Sequence, residues 1–296
     1  MCMAIFLQVE ELVSLDTEDL RRLAPVYGLI FLFSYEEADA NRGPVVNVVE
    51  PHADLFFARQ MIRDACATQA ILAVLLNSPD LDKSGSLGPM LANFKDFAKS
   101  LPPDMKGLAI SGSEEIRAAH NSFKAPDDFI VADEDKRSKD GEAFHFVAYV
   151  PFKGKIYELD GLRDGPIYCG DCDAESWTDN MVPLLERNIR ERSKEKFNLM
   201  AIIKDRRQCL QADLDRLTAA RVAETDGDRQ AALAVEEETA RTLLAEEEEK
   251  RISWREENIR RRHNYFPLIY QMLRAMAERD MLKPLVDKVQ GFSSNR

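Results

Sequence analysis

The sequence predicts a mixed fold, α/β or α+β, followed by an all-helical extension. Three observations carry this. Before about Asp205, short apolar strands alternate with helical patterns. An apolar helix lies among them, long enough to form the middle of a core. After Asp205 the strand signals all but vanish and the composition turns to Ala, Glu, Arg and Leu.

The strands come first. Gly28 to Phe33 is a continuous apolar run, as a strand buried on both faces would be. Phe144 to Val150 is a second. Lys155 to Asp160 follows it across Pro151-Phe152-Lys153-Gly154, which reads as a hairpin turn. Asn198 to Ile203 is a fourth. Between Phe33 and Phe144 the patterns are helical. Cys66 to Leu76 is apolar nearly all round, so it predicts a buried helix, stopped by Ser78-Pro79. A further helix opens at Ser113 and runs to about Phe123. Lys124 to Gly141 is charged, contains Pro126 and reads as a long loop. Loops of that length in compact domains often serve as lids or binding loops.

The tail is read as three helical stretches. Gln208 to Val222 is the first, broken by Glu224-Thr225-Asp226-Gly227-Asp228. Ala231 to about Asn264 predicts a long exposed helix. The last starts near Pro267, a residue favoured in a first turn, and sets Leu268, Ile269, Met272, Leu273 and Met276 on one face. The expected division is a domain over residues 1–205 and a helical domain over 206–296.

Composition narrows the function. The chain has 296 residues, 45% of them hydrophobic and 31% charged, as in a globular protein with a charge-rich segment. No apolar run approaches the roughly 20 residues that span a membrane. Met1 to Leu7 is apolar but short, without a basic start, so no signal peptide is expected. The net charge of -12 disfavours a nucleic-acid surface and suits a partner with a basic contact segment. Five cysteines, irregularly spaced, argue against a disulfide framework and for the cytoplasm or nucleus.

Four residues are candidates for chemistry. Cys66 stands where a loop becomes a helix, so its thiol meets unpaired amides and the positive end of the helix dipole, which favour thiolate. His145 lies within an apolar strand. Asp160 ends the next strand, and a short turn between the two could set its carboxylate on the imidazole. Cys, His and Asp in that order are the elements of a thiol hydrolase. Gln60, six residues before Cys66, could donate to the oxyanion of a tetrahedral intermediate. Other features read as bland. Cys169-Gly170-Asp171-Cys172 lacks a second pair for zinc. His52 and His120 read as surface residues. Glu246 to Glu249 reads as a solvated helix face, and Arg260-Arg261-Arg262-His263 is too short a basic cluster to argue for nucleic acid.

At these residues the chain resembles a known family. Phe56 to Ala70, with Gln60 and Cys66, resembles the active-site segment of the ubiquitin C-terminal hydrolase family of cysteine peptidases. Phe144-His145-Phe146 and Leu159-Asp160-Gly161-Leu162 resemble its His and Asp motifs. Ala67-Thr68-Gln69, and Glu257 to Tyr265 in the tail, resemble the proteasome-associated branch. The resemblance covers about Val9 to Val286. It implies an α/β fold of the papain-like class, with a central, mainly antiparallel sheet flanked by helices. It implies Cys66 as nucleophile, His145 as general base, Asp160 as its orienter and Gln60 as oxyanion donor, with no cofactor and no metal. The implied reaction is hydrolysis at the carboxyl terminus of ubiquitin, at the proteasome. Lys124 to Gly141 would cross the active site and limit which adducts pass. The tail would bind the adaptor domain of a proteasomal ubiquitin receptor, or in some relatives a chromatin-remodelling subunit.

Three departures from the family pattern set further expectations. Met1 to Gln8 stands where the family has a longer segment, which alters some ubiquitin contacts. Asp64 stands where the family has Asn, and an ionised carboxylate there would raise the thiol pKa. The tail ends at Gly291 to Arg296 without a Lys-rich extension, which weakens adaptor binding. The first two motivate the rival reading, a catalytically weak ubiquitin-binding scaffold that joins a proteasomal or chromatin complex through its tail. A second rival is a helical assembly protein whose α/β part is a passive anchor.

Overall fold

The computed structural model describes residues 7–34, 54–62, 65–122, 144–173, 176–192 and 197–293. By chain contacts it divides into two units, residues 1–120 with 133–249, and residues 121–132 with 250–296.

The first unit is built on six strands: β1 (Leu7–Glu11), β2 (Val26–Ser34), β3 (Phe144–Phe152), β4 (Lys155–Leu159), β5 (Ile167–Asp171) and β6 (Phe197–Lys204). Their order is β1-β6-β2-β3-β4-β5 and every pairing is antiparallel. The expected antiparallel sheet flanked by helices is therefore what forms. Helix α1 (Thr17–Arg22) precedes β2, its first turn capped by Asp16, which accepts from the Glu18 amide. Between β2 and β3 come α2 (Cys66–Leu76), α3 (Pro79–Lys83), α4 (Gly88–Ala98), α5 (Pro103–Gly112) and α6 (Glu114–Asn121).

Both faces of the sheet are covered, which is why its central strands read as unbroken apolar runs. On one face Leu29, Phe31, Val147, Tyr149 and Leu199 pack on Trp177, Met181 and Leu185 of α7 (Trp177–Arg192). On the other, Ile30, Ala148, Val150 and Ile202 pack on Ala70, Ala73 and Val74 of α2. The far side of α2, with Leu72 and Leu76, is covered by Leu81, Leu87, Ala98, Ile110 and Ile116. A helix covered on both sides must be apolar all round, as this one is. It also lies close to the sheet. A Cβ on Gly28 would meet both Val74 methyls at 2.6 Å.

Some expectations need correction. The apolar runs marked four strands, but β1 and β5 are also present. The hairpin turn is Lys153-Gly154 alone, with φ of 50° and 76°, while Pro151 and Phe152 stay in β3. Two positive φ values are what a two-residue turn needs to match the strand twist. The helix opened near Ser113 ends at Asn121. The predicted loop Lys124 to Gly141, His52 and Asp64 all lie outside the described residues.

The tail is helical. It comprises α8 (Arg206–Ala223), α9 (Gly227–Arg262), α10 (Phe266–Glu278) and α11 (Leu282–Ser293). Helix α8 buries Leu210 and Leu217. The long helix starts at Gly227 rather than Ala231, because the Asp226 carboxylate accepts from the amides of Asp228 and Arg229. The last helix is two helices, broken where Asp280 takes φ of 55°. No residue of α10 is buried: Leu268, Ile269, Met272 and Leu273 are 58, 49, 56 and 45% exposed.

Candidate active site

Three of the predicted residues come together at one end of the sheet. Cys66 is the first residue of α2 and is half-buried. The residue before it, Ala65, has no side chain to cap the helix, so the first-turn amides stay available. Burial pushes the thiol pKa up, but the hydrogen bond and charge of His145 outweigh it, helped by the amides of Phe146 and Ala67. The thiol therefore sits below its ordinary value of 9.0.

His145 is 4% exposed, at the start of β3. Its Nε2 lies 2.6 Å from Asp160 Oδ1, and the ring edge stacks T-shaped on Phe33. With Nε2 on the carboxylate, Nδ1 is the nitrogen that meets the Cys66 thiol. Burial pushes the imidazole pKa down. The hydrogen bonds and charges of Asp160 and Cys66 overcome that and raise it from 6.5 to about 9. Asp160 lies just past the end of β4, and the same Oδ1 accepts from the Leu162 amide at 2.9 Å. The hairpin register that pairs Ala148 with Leu159 brings the two side chains together. Thiol, imidazole and carboxylate thus form one hydrogen-bonded chain.

Gln60 belongs to a segment without regular structure, residues 54–62, held on several sides. Asn77, at the end of α2, clamps Phe56 twice: it accepts from the Phe56 amide at 2.7 Å and donates to its carbonyl at 2.8 Å. The Arg59 amide donates to the Pro103 carbonyl, and its guanidinium pairs with Asp104 at 3.2 Å and Asp164 at 3.6 Å. The Gln60 amide donates to the Gly161 carbonyl at 2.8 Å. Its side-chain Nε2 spends one N–H on the Ile62 carbonyl at 3.0 Å, and a primary amide has two. The sequence carries no signal for the Asn77 clamp: Asn77 is a single polar residue just past an apolar helix, and Phe56 lies 21 residues before it.

The bland candidates fall elsewhere. Cys169 and Cys172 lie in and just after β5 and are not joined in a disulfide. His120 is on the surface of α6, its Nδ1 2.8 Å from Thr68 Oγ1. Glu246, Glu248 and Glu249 are exposed, and Glu247 accepts from Gln8.

A thiol at a helix start, bonded to an imidazole backed by a buried carboxylate, is the arrangement of a thiol hydrolase. The chain belongs to the ubiquitin carboxyl-terminal hydrolase family 1 of cysteine peptidases. Residues 3–190 match that family, and residues 237–282 match a second profile described as ubiquitin carboxyl-terminal hydrolases. The chain is 40% identical to the ubiquitin carboxyl-terminal hydrolase isozyme L5 of Dictyostelium discoideum, over 98% of this chain and 90% of that one. It is 38% identical to the hydrolase ubh-4 of Caenorhabditis elegans, over 95% of this chain and 84% of that one. Among solved structures it resembles Trichinella spiralis UCH37 bound to ubiquitin vinyl methyl ester, with 33% identity, a TM-score of 0.62, and coverage of 84% of this chain and 90% of that one.

Proposed function

We propose that this chain is a deubiquitinase that cleaves bonds at the carboxyl-terminal glycine of ubiquitin. The observation that carries the reading is the hydrogen-bonded chain Cys66–His145–Asp160. The Cys66 thiolate attacks the glycine carbonyl carbon. Gln60 donates its second N–H to the oxyanion. His145, as imidazolium, gives its proton to the leaving amine, which is a lysine side chain or a small group. The thioester that remains is opened by water, from which neutral His145 takes a proton. Asp160 holds the ring and supports its charge.

The setting is part of the same proposal. Residues 206–296 form an adaptor-binding domain that brings the enzyme to the proteasome, in cytoplasm and nucleus. What supports this is the exposed apolar stripe of α10, since such a stripe marks a partner surface. The Met content of the stripe suits an adaptable groove.

The test is a ubiquitin whose carboxyl terminus carries a thiol-reactive group. The parent should be labelled once, and Cys66→Ser should bind ubiquitin but neither label nor retain more than about a hundredth of the hydrolysis. Binding without labelling by the parent would favour the scaffold reading instead.

A further inference from the structure

Gln69 stands one helical turn after Cys66, on the same side of α2. Its side-chain Nε2 donates to the carbonyl of Ala58, two residues before Gln60. The acceptor is a carbonyl oxygen, so the NH2 end of the amide must face it. The same side chain is pressed against Gly161. A Cβ there would fall 2.9 Å from Gln69 Cδ and 3.1 Å from Gln60 Cβ. Gly161 in turn accepts from the Gln60 backbone amide and directly follows Asp160. One side chain therefore touches the helix of the thiol, the segment of the amide donor and the turn of the carboxylate.

We infer that Gln69 is a positioning residue, which fixes Gln60 relative to Cys66 by tying the 54–60 segment to the first turn of α2. This rests on the reading of Gln60 as oxyanion donor. An oxyanion donor works only when it already sits about 3 Å from where charge develops. Gln60 has no helix or strand to place it. Its main chain is held by Gly161, and Gly161 is held against Gln69. An amide is required at position 69 because a donor must meet the Ala58 carbonyl. An apolar side chain of the same length would leave that carbonyl unpaired and the segment free to drift. A carboxylate would repel it.

The role predicts a separation of effects. Gln69→Met should lower kcat by roughly tenfold or more while KM changes little, because the oxyanion forms only in the transition state. The pH profile for alkylation of Cys66 by iodoacetamide should not move, since alkylation develops no oxyanion. In a Gln60→Ala background, Gln69→Met should add less than about threefold, because a residue acting through Gln60 has nothing left to position. Gln69→Glu should lose activity at neutral pH and recover relative to the parent as the pH falls and the carboxyl becomes a donor. That variant keeps the test open should Gln69→Met not fold. Losses that multiply in the double variant, a shifted alkylation profile, or full kcat in Gln69→Met beside a slow Gln60→Ala would each overturn the inference. Full kcat in Gln60→Ala would instead remove the oxyanion reading itself.

Discussion

Replacing Asp160 by Asn keeps the shape of the site and removes one charge. In the parent the imidazolium is favoured by the difference between 6.5 and about 9, which is on the order of 3 kcal/mol. Among the groups that raise it, the hydrogen bond to Asp160 comes first and that to Cys66 second. Much of this should therefore vanish with the carboxylate, on the order of 2 kcal/mol, or roughly tenfold or more in the imidazolium form. The reactive form spans the pH range between the lowered thiol pKa and the imidazolium pKa, and both belong to the coupled pair. In the parent, kcat/KM on a fluorogenic ubiquitin derivative should fall with a basic limb near pH 9. In Asp160→Asn that limb should move down by about one pH unit or more, with a loss that grows to about tenfold or more above pH 9. Stability carries the same sign. A folded pKa above the unfolded one contributes stability that is complete below about pH 6.5 and lost as pH rises through about 9. The deficit in unfolding free energy should thus be larger near pH 6 than near pH 10. A basic limb still near pH 9, with a loss under about threefold, would refute the reasoning.

Two further outcomes follow from packing and exposure. Gly28→Ala should cost about 1–3 kcal/mol in denaturant unfolding with an unchanged slope, because its methyl would overlap Val74 between sheet and helix; an unchanged midpoint would show that α2 yields freely. Leu273→Glu, on the exposed stripe of α10, should weaken binding of the proposed adaptor domain by roughly tenfold or more while basal hydrolysis stays the same; unchanged affinity in calorimetry would remove the stripe from the proposed interface.

What the sequence shows depends on how each element is buried. Strands β2, β3 and β6, covered on both faces, leave unbroken apolar runs. Strands β1 and β5 lie at the sheet edges, where Val9, Glu11, Tyr168 and Asp171 are exposed, so no run marks them. Helix α7 hides its stripe of Trp177, Met181 and Leu185 among eight charged or amide residues and Pro183. Pro284, in the first turn of α11, is the sequence signal for a break after α10, and the chain turns there at Asp280. In the site, His145 and Asp160 were readable because a hairpin joins them over 15 residues. Cys66 was readable because it opens a buried helix. Gln60 gained meaning only from family resemblance, since no local pattern ties residue 60 to residue 161.

The same division separates the two halves of the site physically. His145 starts a central strand, Asp160 just follows the adjoining strand, and Cys66 heads a helix packed between sheet and helical layer. Their mutual geometry comes from the core, so moving one means disturbing apolar packing of the whole unit. Gln60 has no such backing. Its place rests on hydrogen bonds from Asn77 to Phe56, from Arg59 to Pro103, from Gln69 to Ala58 and from Gln60 to Gly161. Each is worth about 1 kcal/mol, far less than a core contact set. The Gln60 half can therefore be loosened by single polar substitutions that leave the fold and the thiol chemistry intact. Damage to the Cys66–His145–Asp160 half should show in the pH profile of the thiol. Damage to the Gln60 half should show in kcat alone, and the two kinds of variant can be told apart without a structure.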